Sequence, residues 1–210
     1  MTTSKKKAAS IPPRKPAAKK TAQQSRVKSA RAVKPEKPTK PVKPVAAVKA
    51  GYAAPARPDA HEFRDVRIAV LATRWNIDIV DPLIDGARRC LQDWGVPDSG
   101  VELLRAPGAY ELPLAVAAIA KSRQYDGVVV LGAVIRGDTP HFEFVAGECS
   151  RGLREVSTKQ RLPLGFGVLT VNTPTQARER AGDGDDNKGY EAAAAMLEMI
   201  RLLRQLGTAR

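Results

Sequence analysis

Residues 137 to 141 read Gly-Asp-Thr-Pro-His, and His141 is one of only two histidines in the chain, the other being His61. The string follows the apolar run GVVVLGAVI (127–135) and precedes a stretch of helical character, so Asp138 and Thr139 fall where a helix begins. Unpaired backbone amides and the positive end of the helix dipole favour an anion such as phosphate at such a place. An imidazole on the first turn of that helix would move protons near neutral pH; a surface or capping histidine is the plainer alternative.

Three other loops have chemistry of their own. Trp75 and Asn76 follow the apolar run VRIAVLAT (66–73), where the indole could stack on a flat heterocycle or simply cap the core. Pro107-Gly108-Ala109-Tyr110-Glu111 pairs a glycine that permits close backbone approach with a helix start that presents free N–H groups. Arg180 and Lys188 flank AGDGDDNKG and could serve as cationic partners for a phosphate, or be solvated charges like the neighbouring Arg178. GAVIRG lacks the GxGxxG spacing and GDTPH is not a GxxxxGK[ST] loop, so neither a dinucleotide nor ATP is indicated.

These loops punctuate a regular alternation. Strand-like runs at 66–73, 101–106, 127–135 and 164–170 are followed by helix-like stretches at 78–94, 110–123, 139–160, 176–181 and 187–206. In the first helix Ile79, Leu83, Ala87, Cys90, Leu91 and Trp94 form one stripe, with Asp81 before Pro82 as a start signal and Gly95 as a stop. Four β/α units in series imply an α/β fold with a four-stranded parallel sheet, right-handed crossovers and helices on both faces. Ligands of such sheets bind beyond the carboxyl ends of the strands, where the candidate loops lie.

The 210-residue chain has a formal net charge of +13, and its charge is unevenly placed. Residues 1–64 hold 12 Lys and 5 Arg against Glu36, Asp59 and Glu62, a net of +14, which leaves −1 for residues 65–210. The first segment also holds 9 of the 16 prolines, with Lys-Pro repeated through VKPEKPTKPVKPV (33–45), and few large apolar residues. That composition cannot bury enough surface to offset backbone ordering, so residues 1–64 are expected to be a disordered basic tail and 65–210 one domain. The tail is a solubilising arm or one that condenses on a polyanion such as nucleic acid; its only aromatics, Tyr52 and Phe63, give little support to base stacking. Cys90 and Cys149 have no CxxC or Cys/His spacing, which argues against a disulfide framework or a zinc site and for a reducing, cytoplasmic setting. No apolar run approaches the roughly 20 residues that span a bilayer. An organelle transit peptide is the alternative reading of the acid-poor start, though such peptides favour Arg and Ser over Lys and Pro.

Together, PGAYELP, GAVIRGDTPHFEFV, GFGVLTVNTPTQARERAG and NKGYEAA resemble the 6,7-dimethyl-8-ribityllumazine synthase family, over about Val66 to Leu206. The resemblance implies a flavodoxin-like three-layer α/β/α sandwich. It also implies condensation of 5-amino-6-(D-ribitylamino)uracil with 3,4-dihydroxy-2-butanone 4-phosphate, with no metal or organic cofactor. Carried over by motif, Trp75 and Asn76, the Ala109, Tyr110 and Glu111 segment, and the Ala133, Val134 and Ile135 segment would bind the pyrimidine and ribityl chain. Asp138, Thr139, Arg180 and Lys188 would hold the phosphate, and His141 would be catalytic. Phe166 would reach the pyrimidine from an adjacent subunit of a pentamer or a sixty-subunit icosahedral shell, with riboflavin synthase as a candidate partner. Two departures are visible: Phe142-Glu143-Phe144 where many relatives have an aspartate, and the acidic Asp183, Asp185 and Asp186, expected to face solvent.

Overall fold

The first apolar run forms a strand because every residue from Ile68 to Thr73 (β1) is buried, with alternate side chains entering different layers. Ile68, Val70 and Ala72 join one core, whereas Ala69 and Leu71 join the other. In the computed structural model, which describes residues 58–59, 61–184 and 186–208, the remaining elements are α1 (Ile77–Asp93), β2 (Val101–Ala106), α2 (Leu112–Ser122), β3 (Gly127–Ile135), α3 (His141–Gln160), β4 (Leu164–Val171), α4 (Pro174–Arg180) and α5 (Lys188–Gln205). All strands are parallel in the order β2-β1-β3-β4, the expected α/β arrangement. α1 and α5 pack on one face and α2 and α3 on the other. Among the described residues no helix is long and apolar enough to cross a membrane.

The helices lie close because small residues let them. A Cβ on Gly165 in β4 would come within 2.1 Å of the Ala192 carbonyl oxygen of α5, so α5 presses directly on the sheet there. At the α1–α5 crossing, a Cβ on Gly189 would lie 1.9 Å from the Leu83 carbonyl oxygen. Cys90 and Cys149 are buried within these layers, and burial pushes their thiols up to about 12 and about 11, so neither supplies a thiolate near neutral pH.

Pro82 lies within α1 and does not open it. The helix starts five residues earlier than the Asp81–Pro82 signal suggests, because Asn76 takes a left-handed conformation (φ 57°) and turns the chain straight from β1 into the helix. Gly95 does end it, with φ 80°.

The packed body also begins before Asp65. Phe63 is fully buried with its ring 5.8 Å from that of Trp94, and Arg201 of α5 grips the Glu62 carboxylate through Nε (2.6 Å) and Nη2 (2.8 Å). Glu62 and Phe63 are therefore part of the domain's packing, although composition groups them with the tail. The Lys-Pro run and the rest of the chain before residue 58 lie outside the described residues. Phe63→Ala is expected to cost about 3 kcal/mol, the range for emptying a buried aromatic site, measured by urea denaturation.

Candidate active site

The crossovers place the helices after β1 and β3 on opposite faces of the sheet, so the chain diverges at the carboxyl ends of these two central strands and leaves a crevice. The exit of β1 is strapped on both sides. Arg74 N–H donates to the Ala106 carbonyl (3.0 Å), and Asn76 Nδ2 donates to the Ala133 carbonyl (2.9 Å). The buried Thr73 hydroxyl donates to the Trp75 carbonyl (3.3 Å), and Arg105 reaches from β2 to the Thr73 carbonyl (3.2 Å) and Asp81. Held this way, Trp75 projects outward with 73% of its surface exposed. Its indole faces Gly108: a Cβ there would lie 3.3 Å from Trp75 Cδ1 and 3.1 Å from Glu111 Oε2. An aromatic plane and a carboxylate thus sit together over the buried Gly108, and the exposed indole is suited to a flat ring with hydroxyl or N–H groups at its edge.

Ala109 is buried and Tyr110 exposed on the turn that leads into α2. Ala133, Val134 and Ile135 end β3, and the Ala133 carbonyl is occupied by Asn76. Beyond them Asp138, Thr139 and His141 are exposed at the start of α3, a helix whose N-cap, Pro140, supplies no side-chain acceptor. The Glu143 N–H of the first turn donates to the Pro140 carbonyl (3.1 Å), which leaves the N–H groups of His141 and Phe142 as those an anion could meet.

Three of the sequence-derived site residues do not join this cluster. Phe166 pairs in register with Val130 in mid-sheet, five residues, or about 16 Å at the usual strand rise, below the end of β4. Arg180 donates to the Gln176 carbonyl of its own helix (2.8 Å), and the Lys188 ammonium is clasped by both Glu191 oxygens (2.6 and 2.7 Å). The loop between them is fixed by Asn187, 2% exposed. Asn187 Oδ1 caps α5 by accepting from Gly189 and Tyr190 N–H, and its Nδ2 donates to the carbonyls of Pro82, Ala181 and Gly182. Asp183 and Asp186 face solvent as expected, and Asp185 lies outside the described residues.

Arg136, beside the candidate residues, is one that spacing did not single out. It follows β3, and its guanidinium meets Asn172, Glu143 and the Phe142 ring. Only the register that sets Ile135 opposite Val171 brings Arg136 beside Asn172. A separate groove of about 310 Å³, lined by Arg88, Leu91, Gln92, Val96, Asp98 and Val101, lies at the amino end of β2, away from these loops.

A doubly wound parallel sheet with the strand order found here, its switch point between β1 and β3, defines a flavodoxin-like α/β fold. The model of the 6,7-dimethyl-8-ribityllumazine synthase family matches residues 65–204, from just before β1 into the last turn of α5, and the chain belongs to that family of transferases of riboflavin biosynthesis. Its members act on small molecules and assemble as oligomers.

The cap and the three carbonyl contacts of Asn187 can be separated by substitution. Asn187→Asp keeps the acceptor that caps α5 but turns the donor to three carbonyls into an anion facing them. It is expected to lower stability by about 3 kcal/mol at neutral pH. Burial and the carbonyls raise the folded-state pKa of that aspartate above its unfolded value, so part of the loss should return as the pH falls towards about 4. Urea denaturation at the two pH values checks both effects.

Proposed function

We propose that this chain condenses 5-amino-6-(D-ribitylamino)uracil with 3,4-dihydroxy-2-butanone 4-phosphate to give 6,7-dimethyl-8-ribityllumazine. The observation that carries the reading is the convergence of Trp75 and Glu111 over Gly108 at the same edge as the open start of α3, in a chain that belongs to this family. The pyrimidine stacks on Trp75, with the ribityl hydroxyls taken by Glu111 and by backbone groups near Ala109, Tyr110 and the Ala133–Ile135 segment. The phosphate sits against the first turn of α3, at Asp138 and Thr139.

The chemistry needs placement and proton transfer more than a strong nucleophile. The 5-amino group adds to the ketone carbon and water leaves, forming an imine. Phosphate then leaves as an anion, drawn by the helix N-terminus and a cationic side chain. Loss of the C3 proton with the C4 phosphate leaves an enol at the former C3 hydroxyl, which tautomerises to a ketone, and the ribitylamino nitrogen closes the second ring on that new carbonyl with loss of another water. His141 moves the protons that these additions and eliminations require.

Arg180 and Lys188 are engaged within their own helices in one chain, and Phe166 stands on the exposed edge strand. We assign all three to the site of a neighbouring copy. Leu114, Phe144 and Phe166, exposed to 77%, 67% and 46% on α2, α3 and β4, supply apolar surface for that contact. A ring of five, alone or multiplied into a sixty-subunit shell, would repeat one head-to-tail contact. Riboflavin synthase is the partner that would take the product, in a cytoplasmic setting.

Turnover of the two substrates, followed by lumazine absorbance and fluorescence, tests the reading. His141→Ala should lose about a hundredfold in kcat. Arg180→Ala should raise KM for the butanone phosphate by about tenfold, the cost of one charge-assisted contact. A folded wild-type protein inert towards both substrates would overturn the assignment.

The basic arm carries a second reading, favoured by the confinement of the whole positive excess to residues 1–64. This arm binds nucleic acid through phosphate contacts. Co-purifying nucleic acid should then be released as salt is raised, and removal of residues 1–57 should abolish it. Unchanged affinity in the shortened chain would sink this reading.

A further inference from the structure

The loop from Arg136 to Pro140 has little packing of its own. Asp138 and Thr139 are exposed, and a Cβ on Gly137 would meet nothing within 4 Å. The helix that follows has no side-chain cap, and no residue of α3 before Cys149 is buried. Yet its first turn carries His141, whose placement decides whether it reaches a reacting atom.

Arg136 holds that turn from the sheet side. Its N–H continues the ladder to the Val171 carbonyl (2.9 Å), and its Nε donates to Asn172 Oδ1 (3.0 Å), anchoring the residue to the end of β4. From there the guanidinium lies 4.2 Å from the centre of the Phe142 ring and pairs with the Glu143 carboxylate. These are the two residues that directly follow His141. The pairing with Arg136 holds the Glu143 carboxyl below the usual carboxylate range.

We infer that Arg136 is a positioning residue, a planar cation that fixes the first turn of α3 to the end of β4 and thereby sets where the His141 imidazole stands. This rests on the proposed condensation, in which His141 moves protons. A guanidinium suits the task because its rigid fork can point donors at Asn172 and Glu143 while its face covers an aromatic ring; an ammonium cannot do all three. With its charge paired to Glu143, Arg136 acts as a strut and not as a phosphate ligand. Its removal should therefore lower kcat and leave KM nearly unchanged.

The full-length protein and the variants Arg136→Met, Arg136→Lys and Asn172→Ala would be compared by turnover and by amide hydrogen exchange over residues 141–146. Arg136→Met should lose about 30-fold in kcat, with KM for both substrates within about threefold of wild type. Arg136→Lys should recover only part of that loss, and Asn172→Ala should shift kcat in the same direction by less. Exchange over 141–146 should quicken in Arg136→Met while β3 and β4 keep their rates. Wild-type kcat in Arg136→Met, a loss expressed mainly in KM, or unchanged exchange over 141–146 would each overturn the inference. If the wild-type protein fails to turn over both substrates, the proposed reaction falls, and the exchange data alone decide whether Arg136 holds the turn.

Discussion

At the switch point of the sheet, one hydrogen bond runs from the Asn76 side chain to the Ala133 carbonyl and joins the exits of β1 and β3 where their chains part to opposite faces. Asn76 can make it because its left-handed backbone turns the chain directly from strand to helix, a conformation that asparagine tolerates better than most residues. Three consequences follow from this one contact. α1 begins at Ile77, Trp75 is directed out of the core, and the end of β3 is held where the turn into α3 starts. The exposed indole over Gly108 and the open end of α3 are thus two products of the same topological constraint.

A second polar group closes the opposite layer. Asn187 is buried where the α4–α5 loop crosses the start of α1, and it satisfies five backbone groups with one amide. Pro82, which breaks the usual helix bonding of α1, has its carbonyl paired to this side chain. A buried amide with all its contacts met specifies one arrangement, since any shift of α5 would strand carbonyls away from water. At the far end of α5, Arg201 and Arg204 grip Glu62 beside the buried Phe63, so the chain ahead of β1 is tied to the domain there.

A single copy presents an exposed indole and a helix start but leaves Phe166, Arg180 and Lys188 outside them. Phe166 stands in mid-strand on the sheet edge, and both cations are occupied by neighbours on their own helices. This division has a physical logic in a family that assembles as oligomers: residues that fail to converge within a subunit can converge across one. Arg136 belongs to the opposite class, since it acts within the subunit by linking the ends of two strands to the turn that bears His141.

The strands and helices were legible from the sequence because their periods are local. β2 and β3 span the residues their apolar runs suggested, and the alternation of runs implied a parallel sheet covered on both faces. The placement of the candidate loops was legible too, because Trp75, Glu111 and His141 follow strands in chain order, and parallel strands must deliver their exits to one edge. Long-range register decided the rest. That Arg136 meets Asn172, that Asn187 reaches Pro82, and that Phe63 belongs to the core all depend on contacts between residues far apart in the chain, or on burial by distant helices, which leave no local pattern. Composition separated a basic segment from a nearly neutral one, but it could not see that Glu62 and Phe63 are held by α5. Net charge and proline content average over a segment, whereas one buried ring and one bidentate ion pair are enough to fix a boundary.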